Sequence, residues 1–325
     1  MTWAAAGLVQ ASDLNTMLGG NPTTTANTLN AVWGTGSGGA NASATGGGGY
    51  GQTTTANVSV GDIVSAGPWN GLFSATNNAA AHQGTSISNI ANVSSSNIIT
   101  FYSAAQTNVN SIYAARGNAA SQGSTSSNAV TTASTWTSTA TFTHTLTFAN
   151  GDAARYFFNA GGQIKMQVAH SNTTAGVNQA LNTLATATGT VVLSGQNSGS
   201  RTIAGTAYNG VTKVGGSGSA ESIATNTGYF ALSTSNATIF DQNSGTSPYE
   251  SLMDIKYIAK TNGVQGSNQD NGSVVTIYTV ITETGANGTI GTGTTVTCTW
   301  TPPASTFITN SWGALSSFTG TVTVS

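Results

Sequence analysis

Residues 136–148 constrain the fold of this chain more than any other segment. Trp136, Ala140, Phe142, Leu146 and Phe148 occupy even positions, and every odd position from 137 to 147 is Thr. A strand puts successive side chains on opposite faces. This segment therefore predicts a strand with one aromatic and aliphatic face and one ladder of hydroxyls, suited to water or to a neighbouring subunit. Shorter strands are predicted near 191–193, 229–232 and 239–240, and clearer ones at 252–259, 273–281, 294–301 and 318–324. Gly, Ser and Asn turns separate them, which indicates an antiparallel sandwich. No fixed-period repeat points to a solenoid.

Residues 153–158, the turn Asn159-Ala160-Gly161-Gly162 and residues 163–169 read as a hairpin, because Asn and Gly tolerate the positive φ of such turns. On a strand, Phe157 and Phe158 point to opposite faces. Both are covered only if the core takes one and another layer or subunit takes the other. Arg155 alternates onto the face of Phe157, either as a solvated surface group or as a hydrogen-bonded anchor to neighbouring backbone. Arg155, Phe157, Phe158, Asn159, Gly161 and Gly162 are thus the candidate subunit interface.

The first third reads differently. Ser12 or Asp13 can cap a turn carrying Leu14, Met17 and Leu18, and a second short helix is expected from about Thr24 to Trp33. A glycine-rich loop, 34–51, carries no Lys after its glycines and resembles no phosphate loop. Trp69, Leu72, Phe73 and Thr76 predict a helix over 68–82, and Tyr102, Ala105, Val109, Ile112 and Tyr113 predict another over 101–116. A further helix is expected over 174–187. The stretch 117–135 has no periodicity. The sequence therefore divides into an N-terminal, partly helical attachment region (1–116), a linker (117–135) and an antiparallel β domain (136–325), making the chain mainly β.

Charge bears on function. Only nine acidic and seven basic residues occur among 325, against about a quarter charged in an ordinary domain. Catalysis, metal binding and phosphate binding all draw on such groups. Seven basic residues spread from Arg116 to Lys260 form no phosphate-tracking stripe, so nucleic acid is not an expected partner. The first 115 residues hold no Lys or Arg, which removes the basic start of a secretory signal. No apolar run of 18 residues exists, so no membrane insertion is expected. A hydrophobic fraction of 38% and a net charge of −2 argue against disorder. A near-neutral surface gives copies little mutual repulsion.

Single residues add little chemistry. Cys298 excludes an internal disulfide and shares a predicted strand face with Val296 and Trp300, as a small buried hydrophobe. His144 falls on the apolar face of the 136–148 strand and reads as a core histidine; the alternative is a metal site on a trimer axis. His82 sits at a predicted helix C-terminus, where it suits the dipole. Asp241, Glu250 and Asp254 are the densest acidic group, and Asp254 with Lys256 reads as an ion pair on one strand face. No catalytic residues, metal ligands or cofactors are expected.

The segment Phe148-Ala149-Asn150-Gly151-Asp152-Ala153-Ala154-Arg155-Tyr156-Phe157-Phe158-Asn159-Ala160-Gly161-Gly162-Gln163-Ile164 resembles a signature of virion structural proteins from tailed phages, notably marine and cyanobacterial myoviruses. Pro68-Trp69-Asn70-Gly71-Leu72 with Ala81-His82-Gln83-Gly84 is similar to that group's upstream helix. Asn226 to Leu232 and Tyr257 to Lys260 resemble its downstream strands. The resemblance runs from about residue 1 to 283. It implies a tail, neck or fibre subunit located in the virion, partnered by other virion proteins and by copies of itself, with a trimer favoured. A receptor- or glycan-binding fibre module is the alternative, with Tyr249-Glu250 as a lip for host-surface sugar. An envelope-degrading enzyme and a surface adhesin or ice-binding threonine array are weaker readings.

Overall fold

The computed structural model describes residues 11–19, 28–35, 49–59, 61–62, 64–94, 100–196, 199–245, 250–265, 270–285 and 288–325. Most of the glycine-rich loop, the start of the second predicted helix and Tyr249 lie outside the described residues. Among the described residues four helices come first: α1 (Ala11–Leu18), α2 (Leu29–Trp33), α3 (Ala66–Gln83) and α4 (Tyr102–Ala114). Most of their periodic residues are buried, with Tyr102 and Tyr113 half-buried. Leu14, Met17 and Leu18 of α1, Trp69, Leu72 and Phe73 of α3, and Ala105, Val109 and Ile112 of α4 meet in one cluster. Trp69, Phe73 and Phe101 form a triangle of ring contacts with centroids 5.0–6.2 Å apart.

The remainder is an antiparallel β sandwich. Its elements are β1 (Ser126–Thr131), β2 (Thr139–Thr147), α5 (Gly151–Asn159), β3 (Gln163–His170), α6 (Val177–Thr188), β4 (Thr190–Leu193), β5 (Arg201–Ile203), β6 (Thr206–Tyr208), β7 (Val211–Val214), β8 (Ser222–Ile223), β9 (Ala237–Asn243), β10 (Met253–Thr261), β11 (Val274–Glu283), β12 (Thr294–Thr301) and β13 (Ser317–Val324). One sheet has the order β1-β12-β3-β4-β7 and the other β13-β2-β11-β10-β9-β8, with β5-β6 as a small ribbon. Alternation decides which side chains face inward. Ala140, Phe142, His144 and Leu146 of β2 are buried, and the odd-numbered threonines between them are half-exposed. Strands β10, β11 and β12 repeat the pattern, with Ile255, Tyr257, Ile277, Ile281, Val296 and Cys298 inside. The helix α6 touches β3 in one sheet and β9 and β10 in the other, so it helps to hold the two together.

Three expectations are corrected. The stretch 117–135 is not a bare linker, because residues 126–131 form β1, which pairs along its whole length with β12. Its sequence, SSNAVT, lacks an apolar alternation because β1 is an edge strand with mostly exposed side chains. The N-terminal region also shares a core with the sandwich, and Gln52 exchanges two hydrogen bonds with the backbone of Thr309 at 2.8 and 2.9 Å. Second, Tyr229–Ala231 is a single 3-10 turn rather than a strand. Third, the supposed first arm of the 153–169 hairpin is the helix α5.

Candidate assembly interface

The helix α5 forms where it does because its ends are specified. Asn150 caps it, its Oδ1 accepting the Ala153 N–H at 2.8 Å. Asp152 lies in the first turn, where its charge favours the positive end of the helix, and it meets Arg155 one turn later at 3.0 Å. At the far end Gly161 adopts φ +97°, and the Gly162 N–H closes on Phe157 O at 2.8 Å. A β carbon at Gly162 would lie 2.5 Å from the Phe157 ring, so only glycine fits that close return.

All six candidate interface residues are buried within their own chain. Phe157 stacks on Trp300 of β12 with centroids 5.5 Å apart and 12° between planes. Phe158 stacks on Tyr229 at 4.3 Å and 13°. Phe148 touches both rings at 5.3 and 6.2 Å. A helix turn, unlike a strand, lets two consecutive aromatics enter one core from adjacent directions. No second subunit is needed to cover them, and the expectation that they form a subunit contact is corrected.

Arg155 and Asn159 instead join the sandwich to the N-terminal region. The Arg155 Nη2 donates to Thr35 O at 2.6 Å, and its guanidinium sits 4.5 Å from the Tyr156 ring. Of the two roles weighed for it, it fills the backbone-anchor role. The Asn159 Nδ2 donates to Gly49 O at 3.2 Å, and the His82 Nε2 lies 3.0 Å from Ala160 O. The sequence did not single out Arg201, yet it is buried and donates to Phe158 O at 2.6 Å and to Gln196 Oε1 at 3.0 Å. Burial lowers its pKa to about 10, with the nearby Arg116 charge adding to the effect.

The cysteine and the three histidines are likewise absorbed into packing. Burial pushes the Cys298 thiol well up and holds the His82 imidazole down at about 4, partly offset by its hydrogen bond to Ala160. His144 is also held at about 4 by burial. The Asn128 backbone lies near enough to offset part of that effect, although neither ring nitrogen reaches hydrogen-bond geometry. His170 is fixed between Thr294 Oγ1 and Asn178 Oδ1, each at 3.0 Å. Lys256 sits on the outer sheet face between Asp254 at 2.6 Å and Asp241 at 3.4 Å. No group of three His, Cys, Asp or Glu among the described residues could hold a metal ion. No helix among them is long and apolar enough to cross a membrane.

The outward faces of β1, β2, β12 and β13 carry mainly hydroxyls. The threonines of β2 pair with those of β13: Thr145 with Thr319, Thr143 with Thr321 and Thr141 with Thr323. Ser127 and Thr131 of β1 hydrogen-bond Thr299 and Thr295 of β12 at 2.9 and 2.8 Å. An open groove of about 610 Å³ at the β8–β9 side is lined in part by Glu221, Gln242, Asn243 and Glu250. No family model, curated protein or solved structure matches this chain.

Proposed function

We propose that this chain is a structural subunit of a tailed-phage virion, of tail, neck or fibre type, that assembles with copies of itself and with other virion proteins and performs no catalysis. The observation that carries the reading is the contrast between interior and surface. Two of the three arginines, the histidines and the cysteine are spent on packing: Arg155 and Arg201 tie backbone segments together, and His82, His144, His170 and Cys298 are buried. The two outer sheet faces present paired threonines and serines, which hydrogen-bond to a partner without charge repulsion. The sequence resemblance supplies the virion setting. With Phe157 and Phe158 buried, the threefold arrangement loses its structural motive, and the proposal keeps self-assembly without it.

The test is mass spectrometry of purified particles with copy counting against the major capsid protein. Several copies per particle are expected; absence from washed particles would sink the reading. A second reading, binding of host-surface glycan, draws on the amide- and carboxylate-lined groove at Glu221, Gln242, Asn243 and Glu250. A glycan array probed with the purified chain and with Asn243→Ala separates the two.

A further inference from the structure

The strand β13 ends the six-stranded sheet, and β2 is its one ladder neighbour among the described residues. Ser325 and Thr139 exchange both backbone hydrogen bonds, at 2.9 and 3.4 Å, and the register runs unbroken from there to Ser317 opposite Thr147. Directly opposed residues of an antiparallel ladder alternate between bonded and non-bonded pairs. Ser317, Thr319, Thr321 and Thr323 therefore aim their N–H and C=O groups at β2. Phe318, Gly320, Val322 and Val324 aim theirs away from the sheet. The Asn128 Nδ2 of β1 donates to Phe318 O at 3.3 Å, as that parity requires.

An open strand edge invites another strand, and folds usually guard it with Lys, Pro or a bulge. Here none is present. The sequence of β13 is SFTGTVTV, its pairing shows no register shift, and β1, β2 and β13 contain no Asp, Glu, Lys or Arg. Against the inner side of Gly320 lie Asn128, Val130 and His144, so β1 packs under the strand there.

We propose that β13 pairs antiparallel with β13 of a second copy, about a twofold axis through Thr321. This rests on the self-assembly reading above and names its contact. Two identical edges meeting about a twofold must be self-complementary. With the axis at Thr321, all four outward-aimed residues take bonded positions: Phe318 opposite the partner subunit's Val324, Gly320 opposite the partner subunit's Val322, and the reciprocal pairs. The Phe318 carbonyl keeps a second lone pair beside its Asn128 bond. On the inner face an aromatic lies against a β-branched side chain, a favourable cross-strand pair. On the outer face hydroxyl meets hydroxyl, and no like charges are opposed. The two six-stranded sheets become one twelve-stranded sheet, and the threonine ladders of β2 and β13 continue across the axis.

Cysteines introduced one at a time into the full chain read this register directly. Thr319, Thr321 and Thr323 are exposed, and the buried Cys298 offers no competing thiol. At the axis, Thr321 and its copy form a non-bonded pair with Cα atoms about 4.5 Å apart, within disulfide reach. Under mild oxidation Thr321→Cys should crosslink as a dimer. Thr319→Cys and Thr323→Cys should crosslink when mixed and not alone. Val322→Pro removes an outward donor and no bond to β2; it should weaken self-association by about tenfold or more with an unchanged far-ultraviolet spectrum. If the native chain self-associates while Thr321→Cys stays uncrosslinked, the edge contact is overturned and self-assembly stands. If the native chain sediments as a monomer at every concentration, both fall. Crosslinking of Thr321→Cys to a different protein in particles would show a foreign strand on this edge and overturn the twofold.

Discussion

Replacing Phe158 by Ala separates a core residue from an interface residue. Phe158 is fully buried, stacked on Tyr229 at 4.3 Å and edge-on to Phe157 at 4.9 Å, with Phe148 at 6.2 Å. Removing the ring forfeits its transfer free energy and leaves a cavity. Trp300 holds Phe157 from the other side, so that cavity cannot close easily. Such truncations cost about 3–5 kcal/mol. A 325-residue chain unfolds with an entropy of about 0.7 kcal/mol/K. The melting temperature should therefore fall by about 4–7 °C. Calorimetry on dilute protein, where association is negligible, measures this, and Phe158→Leu should lose roughly half as much. A Phe158→Ala variant that melts with the native protein yet no longer self-associates would place the ring in a contact between copies and refute its core role.

Acid should destabilise the protein between about pH 6.5 and 4. Unfolded His82 and His144 take a proton near the ordinary 6.5, and the folded rings wait until about 4, so the unfolded state binds more protons in that window and stability falls as pH falls. Each contributes a loss on the order of 3 kcal/mol by pH 4, and His82→Gln should flatten the melting-temperature profile by its share. Arg201→Ala should cost about 2–4 kcal/mol in a denaturant titration, because it strips donors from Phe158 O and Gln196; Lys should rescue little, lacking the planar fork. Cys298 should react with a thiol reagent only as fast as the protein unfolds, so a rapid native reaction would contradict its burial. Lys256→Met should change stability by less than about 1 kcal/mol, since the pair with Asp254 and Asp241 is partly solvated.

The sandwich was legible where one face of a strand meets the core and the other meets water. Residues 139–147 carry that alternation in full, and the periodic stripes of α3 and α4 are as plain. The helix α5 was misread because Tyr156, Phe157 and Phe158 favour a strand locally. Its signals were present nonetheless: Asn150 at the cap, Asp152 and Arg155 one turn apart, and Gly161-Gly162 at the stop. Tertiary cover from Trp300 and Tyr229 decides the matter, and those residues lie more than 70 positions away in sequence. The strand β1 was missed for a related reason, since its pairing is dictated by β12 and not by its own composition. The role of Arg201 depends on a carbonyl 43 residues distant and left no local mark. The open edge of β13 was only half visible: its sequence shows an uncharged strand, but its edge position comes from the sheet order.

A three-dimensional map of the purified particle at side-chain resolution tests the central claim most directly. Density for this chain is expected in several symmetry-related copies, with α5 inside each subunit and like subunits in contact through their β sandwiches. A particle without the chain, or one holding isolated single copies that touch no like subunit, would contradict it.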